Sequence, residues 1–545
     1  MPINKPKHPK GLPILFLTEM WERFGYYLLL GILLLYLKDP KGGFGYENKE
    51  ASDIVGTYLG LVYLTPFVGG LLADKILGYR RSIILGGLLM SAGYFCLAVP
   101  NSEMFWIAVL LLVIGNGFFK PNISTLLGNL YNNETNKSLK DDGYNIFYMS
   151  INVGAFICNF VAAYMRNAYG WGYAFAAAGI GMLIGVLFFI GGNKHIKAAD
   201  IMKPAKPEDM SISKVLWIVI IPMLIFGVIG WLIPGNIFGS DSTDAFIIAC
   251  IPVIGFYINL LIKSNKDDKS RIAALLSIFA VVIVFWAVFK QNASALTNYA
   301  ETYTDRQISA ETATYLKPFG MVQEISIQPD TFPKYDAYFR PVKNVQGEIE
   351  TVISPNPYFQ NLDKNNWPKE NQPIQLISTE IFQSINPFFI VLLTPLVISL
   401  FSLLRRRKRE PSTPAKIAWG LLITGISTAI MAFAIYSTDI TQDKSSAWWL
   451  IGSYAVVTIG ELFLSPIGLS LVSKVAPARL TSLLMGGWFL ATAIGNKLSG
   501  VLSSLWDNYD HKANFFWVNF TACLIASLII FAMIKWLRSI IQQHT

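Results

Sequence analysis

Runs of about twenty apolar residues recur along this 545-residue chain, and they confine it to a membrane. A helix of ~20 residues spans the ~30 Å of a bilayer's hydrocarbon core, where every backbone N–H and C=O must be bonded internally. The runs are centred near residues 25, 62, 90, 115, 155, 180, 225, 254, 281, 391, 425, 460, 490 and 525, which predicts about 14 helical spans. The one near 62 carries Pro66 and several glycines, which membrane helices tolerate. Composition agrees: 53% of residues are hydrophobic and only 14% charged, against ~25% charged in a soluble domain. No cleavable signal peptide is expected. Lys5, Lys7 and Lys10 lead into a run too long for an h-region and without a small-residue cleavage site.

The net charge of +9 does not point to nucleic acid, because its distribution follows the spans. Lysine and arginine concentrate in alternate short loops: Lys75/Arg80/Arg81, Lys194/Lys197/Lys203, Lys266/Lys269/Arg271 and Arg405 to Arg409. That is the positive-inside pattern, and it predicts both termini in the cytoplasm. Cys96, Cys158, Cys250 and Cys523 all fall in apolar spans without metal-ligand spacing and read as packing residues. His8, His195, His511 and His544 lie in tails or loops, and no enzyme or metal motif emerges, so neither an enzyme nor a metal site is expected.

Six spans run from Leu12 to Ile190, followed by a lysine-rich connector to about Ser213. Two strongly apolar helices, roughly Val215–Ile233 and Ala245–Ile262, carry almost no ionisable residue and read as peripheral and lipid-facing. Six more spans begin near Arg271. This 6 + 2 + 6 plan predicts an all-α membrane protein of the major facilitator type, with a site between two six-helix halves near the midplane. The expected divisions are 1–190 for the first bundle, 191–270 for the connector and peripheral helices, and 271–545 for the second bundle. Residues 293–377, between spans seven and eight, form a polar insert rich in Pro, Asn, Tyr and Thr, expected outside the cytoplasm. Alternating runs at Glu324–Gln328 and Glu348–Ile353 hint at strands in a small cap; a solvated loop is the other reading.

Chemistry-bearing residues interrupt the spans. Glu19, Glu22 and Arg23 lie in the first, where each ionisable group costs ~2.5–3.5 kcal/mol on insertion scales unless it pairs or faces water. Their i, i+3, i+4 spacing keeps them on one ~100° face, which Tyr26, Tyr27 and Leu30 continue. In span four, Gly115-Asn-Gly-Phe-Phe-Lys120-Pro121 sets a lysine in an apolar helix, either paired with the first-span glutamates or snorkelling to the interface. Asn145, Tyr148, Asn152 and Asn159 share one face of span five, as helix glue or as a cavity lining. Gly70 to Arg81, with Asp74, Arg80 and Arg81, resembles the cytoplasmic loop signature of the major facilitator superfamily, a conformational element.

Several motifs in one order resemble the proton-coupled oligopeptide transporters. They are Glu19-x-x-Glu22-Arg23-Phe with Tyr26-Tyr27, Gly117-x-x-Lys120-Pro121, Phe147-Tyr148-x-x-Ile151-Asn152-x-Gly154 and Phe285-Trp286-Ala287. Gln383-Ser-Ile-Asn386-Pro387, Glu461-x-x-x-Ser465-Pro466-x-Gly468 and Met485-Gly-x-Trp488-Phe-Leu490 complete the set. The two extra central helices are similar to those of the bacterial members. The resemblance implies import of di- and tripeptides with protons, without a cofactor, by a monomer in the bacterial cytoplasmic membrane. It implies a proton-linked network of Glu19, Glu22, Arg23 and Lys120. It also implies a peptide cavity lined by Tyr26, Tyr27, Tyr63, Asn152, Trp286, Asn386 and Trp488, with Glu461 receiving the peptide amino group or pairing with Lys120.

Two positions depart from the family pattern. Leu30 stands where peptide-transporting members carry a second first-helix arginine, and Lys290 where they commonly carry an acid. Counted over these sites, the family has four acids and three bases; this chain has Glu19, Glu22 and Glu461 against Arg23, Lys120 and Lys290. The cation is relocated, and Lys290 is expected either to bind the substrate carboxylate or to seat the insert at the external interface. The departures leave two alternatives beside peptide import: a sibling carrying another carboxylate or anion, and a transport-incompetent binding protein on the same scaffold.

Overall fold

The computed structural model describes residues 7–132, 136–201, 212–369, 372–477 and 480–544. Lys203 of the basic connector lies outside the described residues, as do the side chains of Lys75, Ser465 and Pro466. The long helices, in chain order, begin with α1 (Leu12–Lys38), α2 (Asn48–Leu72), α3 (Tyr79–Leu97), α4 (Ser102–Leu130), α5 (Lys140–Tyr169) and α6 (Trp171–Gly191). After the connector come α7 (Ile221–Trp231), entered through a π-helical turn at Leu216–Ile220, α8 (Asp241–Lys263) and α9 (Lys266–Phe289). The insert follows, and then α10 (Ile385–Arg406), α11 (Thr413–Tyr436), α12 (Ala447–Val475), α13 (Thr481–Ser504) and α14 (Lys512–His544). Among the described residues, twelve helices are long and apolar enough to cross a membrane. α3 and α13 are less apolar: α3 opens on Arg80 and Arg81, and α13 carries Asn496, Lys497 and several Ser, Thr and Gly.

Two compact units divide the chain. One contains residues up to Gly31 together with Tyr58–Pro222; the other contains Ile32–Thr57 and everything from Met223 onward. In the first unit α3 packs on α4 and α6, and α5 packs on α6. Side-chain donors tie its helices to neighbouring backbones, as expected where no water competes. Asn116 Nδ2 donates to the Val62 carbonyl at 2.8 Å, Thr65 Oγ1 to Val113 at 2.8 Å and Ser91 Oγ to Gly179 at 3.0 Å.

In the second unit α11 packs against α12 and α14, and α9 against α13 and α14. Gln291 and Asn519 exchange amide hydrogen bonds at 2.9 and 3.2 Å. The flanks of α7 and α8 are mostly uncovered. α8 starts four residues before the expected Ala245, because Ser240 caps it: its Oγ accepts from the Thr243 N–H at 3.2 Å. Cys158, Cys250 and Cys523 are buried and Cys96 partly so, all as free thiols.

The insert contains small sheets. β1 (Thr304–Asp305) pairs in parallel with β6 (Ser445–Ser446), β2 (Val322–Ile325) antiparallel with β5 (Ile374–Ile377), and β3 (Asp330–Pro333) antiparallel with β4 (Thr351–Ser354). The two expected strand regions are real but their ends are displaced by one to three residues. Pairing partners, invisible in a single segment, set the ends. Ile325, Tyr358, Phe359, Leu362, Ile374 and Leu376 make a small core. Lys444 is buried beneath it, donating to the Thr302 carbonyl at 2.8 Å and Asn361 Oδ1 at 2.6 Å, with the Tyr358 ring 4.0 Å away. The insert also grips the loop between α1 and α2: Lys41 pairs with Asp330, and Lys343 with Glu47 at 2.5 Å.

Candidate functional site

Each unit carries its own cluster of buried charge. In the first, Glu22, Arg23 and Glu19 are 0, 3 and 4% exposed. Helical spacing stacks them, and the two carboxylates are held very differently. Arg23 Nε donates to Glu22 Oε2 while Nη2 donates to Oε1 at 2.6 Å, the two-pronged geometry that a guanidinium fits best. Glu19 Oε1 lies 3.5 Å from Arg23 Nε, and Glu19 Oε2 is buried with no hydrogen-bond partner. The Arg23 guanidinium also covers the Tyr26 ring at 4.8 Å.

Lys120 sits over Tyr63, its Nζ 3.7 Å from the ring centroid. It is in electrostatic range of Glu19, Glu22 and Arg23. Among the described residues no ion pair within 4.0 Å joins it to a carboxylate, so the aromatic face stands where a direct lysine–glutamate pair was one expectation. The phenols of Tyr26, Tyr27, Tyr58 and Tyr63 are neighbours, and the Tyr26 hydroxyl is buried without a hydrogen-bond partner. On α5, Asn152 and Asn159 are buried whereas Asn145 and Tyr148 are exposed. Asn152 Nδ2 donates to the Tyr148 carbonyl at 3.1 Å.

In the second unit, Lys290 is buried in the turn just after α9, with its Nζ 5.7 Å from the Trp286 ring and 5.5 Å from that of Phe289. Glu461, on α12, accepts from Asn386 Nδ2 at 3.1 Å, and the same amide donates to Thr458 Oγ1 at 2.9 Å. Lys290 is within electrostatic range of Glu461. Trp488 is buried 6.0 Å from Phe279, its indole filling the space where Gly468 lacks a Cβ. An anion and a cation thus share each unit: Glu19 and Lys120 in one, Glu461 and Lys290 in the other. Such pairs can meet the two ends of a zwitterion or exchange a proton. Leu30 is buried on α1.

The loop from α2 to α3 has a partner that sequence reasoning missed. Asp74 lies in a π-helical turn, Ala73–Leu77, and Gly78 follows at φ 77°, a conformation that glycine adopts freely. Asp200 Oδ1 then accepts from the N–H groups of Tyr79 at 2.9 Å and Arg80 at 3.3 Å, and its Oδ2 lies 3.8 Å from the Arg80 guanidinium. The carboxylate caps the positive end of α3. Arg81 is exposed. Tyr58 and Tyr94 were missed as well; they lie beside Glu22 and Arg23, in apolar runs with no motif around them.

Among the described residues, no group of three or more His, Cys, Asp or Glu could hold a metal ion. A di-/tripeptide transporter of Lactococcus lactis is 30% identical over 512 residues, covering 91% of this chain and 89% of the relative. An uncharacterized transporter of Bacillus subtilis is 29% identical, covering 96% of this chain and 93% of its own. The crystal structure of a peptide transporter POT in complex with sulfate superposes with a TM-score of 0.75 at 28% identity, covering 98% of this chain and 96% of that one. A POT family transporter in complex with a thioalcohol-conjugated peptide gives 0.76 at 25% identity, covering 97% of each chain. The model of the POT family matches residues 80–327 and 371–518, and this multi-pass membrane protein belongs to that family.

Proposed function

We propose that the chain is a symporter that imports di- and tripeptides together with protons by alternating access. Relatives named di-/tripeptide transporters align along nine-tenths of it, which supports a peptide substrate. This is a family of transporters and not of enzymes, and it works without a cofactor. The observation that carries the mechanism is the unequal treatment of two carboxylates by one arginine. Glu22 is saturated by Arg23, whereas Glu19 has a buried oxygen with nothing bonded to it. Glu19 is therefore the group suited to take up a proton. Its neutralisation weakens its hold on Arg23 and leaves the charge of Lys120 less compensated.

Substrate contacts are assigned to Tyr26, Tyr27, Tyr63, Asn152, Trp286, Asn386 and Trp488. Glu461 is assigned to the amino group and Lys290 to the carboxylate. Asp74, Arg80 and Arg81 belong to the conformational loop.

The reading includes fourteen spans: α3 and α13 are long enough for ~30 Å of hydrocarbon and pack among apolar helices. It divides the chain into bundles 1–190 and 271–545 around 191–270, with the insert outside, both termini inside, and a monomer in the bacterial cytoplasmic membrane. Purified protein in liposomes, given a proton gradient acid outside, should accumulate labelled dialanine. Glu19→Gln should lose accumulation against a gradient while retaining exchange of internal for external dipeptide. Undiminished accumulation by this variant would exclude Glu19 as the proton site.

A second reading, transport of another carboxylate or anion, is favoured by one observation: Leu30 is buried at the position where the resemblance expects a cation. Competition by nitrate and free amino acids against labelled dipeptide separates the two. Lys290→Ala should weaken dipeptide uptake at least tenfold if Lys290 holds the carboxylate.

A further inference from the structure

A second buried ion pair lies apart from both clusters described above. Lys497, in α13, is fully buried, and its ammonium donates to Asp53 Oδ1 at 2.6 Å, Thr57 Oγ1 at 2.6 Å and Ser242 Oγ at 3.0 Å. Three donors meet three acceptors, so the lysine is saturated. Asp53 takes two further bonds, from Thr243 Oγ1 at 2.9 Å and from Ser242 Oγ. The ligands of this one ammonium come from the first turns of α2 and the start of α8. Beside it the α2 and α13 backbones touch: a Cβ on Gly56 would stand 2.6 Å from the Gly500 Cα, and a Cβ on Gly500 equally close to Gly56. α8 is fastened to α13 a second time, since Tyr257 Oη donates to the Leu483 carbonyl at 2.7 Å.

An ion pair whose side chains are only 1% and 15% exposed is hard to retain for stability alone, because well-packed apolar residues usually serve as well or better. It has the properties of a reversible fastening: strong when dry and complete, weak once water or a displaced partner opens it. All five residues of the fastening, Asp53, Thr57, Ser242, Thr243 and Lys497, belong to the second unit.

We propose that Asp53 and Lys497, completed by Thr57, Ser242 and Thr243, form a latch that fixes the start of α2 on α13 in one access state and must open and re-form in each transport cycle. The peripheral helix α8 thereby acquires a function as the third jaw of the latch. Asp53 and Lys497 are positioning residues and touch neither substrate nor the transported proton. The proposal rests on the alternating-access reading above.

The test uses the full-length protein carrying Thr57→Cys and Ser242→Cys, whose parent oxygens are 3.3 Å apart. Oxidation should cross-link the latch shut and lower dialanine uptake in liposomes at least tenfold, with recovery on adding dithiothreitol. Dialanine binding, read as a thermal shift, should persist in the cross-linked form. Uptake by the cross-linked protein equal to that of the reduced protein overturns the proposal. Independently, Asp53→Asn and Lys497→Gln should each speed amide hydrogen exchange over residues 48–57 at least tenfold, with segments of α11 unchanged. The exchanged pair Asp53→Lys with Lys497→Asp should recover part of the protection. Unchanged exchange in both single variants also overturns the latch. A wild-type protein that takes up no dialanine, yet shows these exchange effects, refutes the transport reading and with it the gating role, while leaving the ion pair as a static fastening.

Discussion

Arg23 donates two hydrogen bonds to the carboxylate of Glu22, its neighbour in sequence, and reaches Glu19 only at 3.5 Å. The two glutamates should therefore respond differently to mutation. Removing the cation leaves a buried carboxylate uncompensated, so Arg23→Met should destabilise the protein by about 3–5 kcal/mol. Glu19→Gln deletes one long contact and should leave the melting temperature in detergent close to wild type while abolishing proton-driven accumulation. Equal destabilisation by the two variants would contradict the asymmetry.

Lys120 rests on an aromatic face in place of a carboxylate. With its Nζ 3.7 Å from the Tyr63 centroid, the attraction of a desolvated cation to the ring is worth ~2 kcal/mol. Tyr63→Phe keeps that face and should retain most of the stability, whereas Tyr63→Leu should lose ~1–2 kcal/mol. Thermal unfolding of both variants in the same detergent distinguishes them, and indistinguishable curves would remove the cation–π contact from the account.

Gly154 lets α5 lie directly against the charged face of α1. A Cβ there would strike the Met20 carbonyl and stand 3.0 Å from the Phe24 nitrogen and 3.3 Å from the Arg23 Cβ. Neither backbone atom can turn aside, so Gly154→Ala should cost ~1–3 kcal/mol and displace the helix that carries Glu19, Glu22 and Arg23. A lower melting temperature with impaired uptake is the expected outcome.

Much of this architecture was legible in the chain because the bilayer simplifies the problem. Apolar length fixes where the spans lie, and an ionisable residue within one marks a site. Glu19, Glu22, Arg23 and Lys120 stood out in this way, Lys290 and Glu461 through the family resemblance, and all six are buried or half-buried in the structure. The face that Lys120 rests on was harder to foresee, since a tyrosine in an apolar run carries no signal of its own. Asp53 and Lys497 escaped notice for a related reason. Asp53 sits in the polar opening turns of α2 and Lys497 among the Asn, Thr and Ser residues of α13, where a charge is unremarkable, and only the folded chain brings together residues 444 positions apart. Asp200 was equally silent, because capping depends on where the connector returns rather than on spacing. In the insert, alternation revealed that strands exist, while the pairing of β2 with β5 across some fifty residues set their limits.

Asp200 offers a test of the loop between α2 and α3. Asp200→Asn retains an acceptor for the Tyr79 and Arg80 N–H groups but loses the charge that faces the helix end and Arg80. Stability should fall by ~0.5–1 kcal/mol, the range for a charge at a helix terminus. Asp200→Ala removes the acceptor too and should lose ~1–2 kcal/mol. If loop closure contributes to turnover, the maximal uptake rate should fall in the same order with little change in KM.

Lys444 should make stability depend on pH in a direction opposite to that of a salt-bridged lysine. Burial, reinforced by the nearby Arg306, holds its ammonium well below the usual lysine range. At pH below the folded-state pKa both folded and unfolded chains carry the proton, and the full burial penalty applies. As pH rises from that value towards ~10.4, the unfolded lysine still binds a proton that the folded one has released, so stability increases across the window. Lys444→Met lacks the titrating group and should lack this rise. Melting temperatures of both proteins, measured in detergent from neutral pH to about pH 10, should therefore diverge with increasing pH, the wild type gaining relative to the variant. Parallel curves would mean that Lys444 keeps an ordinary lysine pKa beneath the cap.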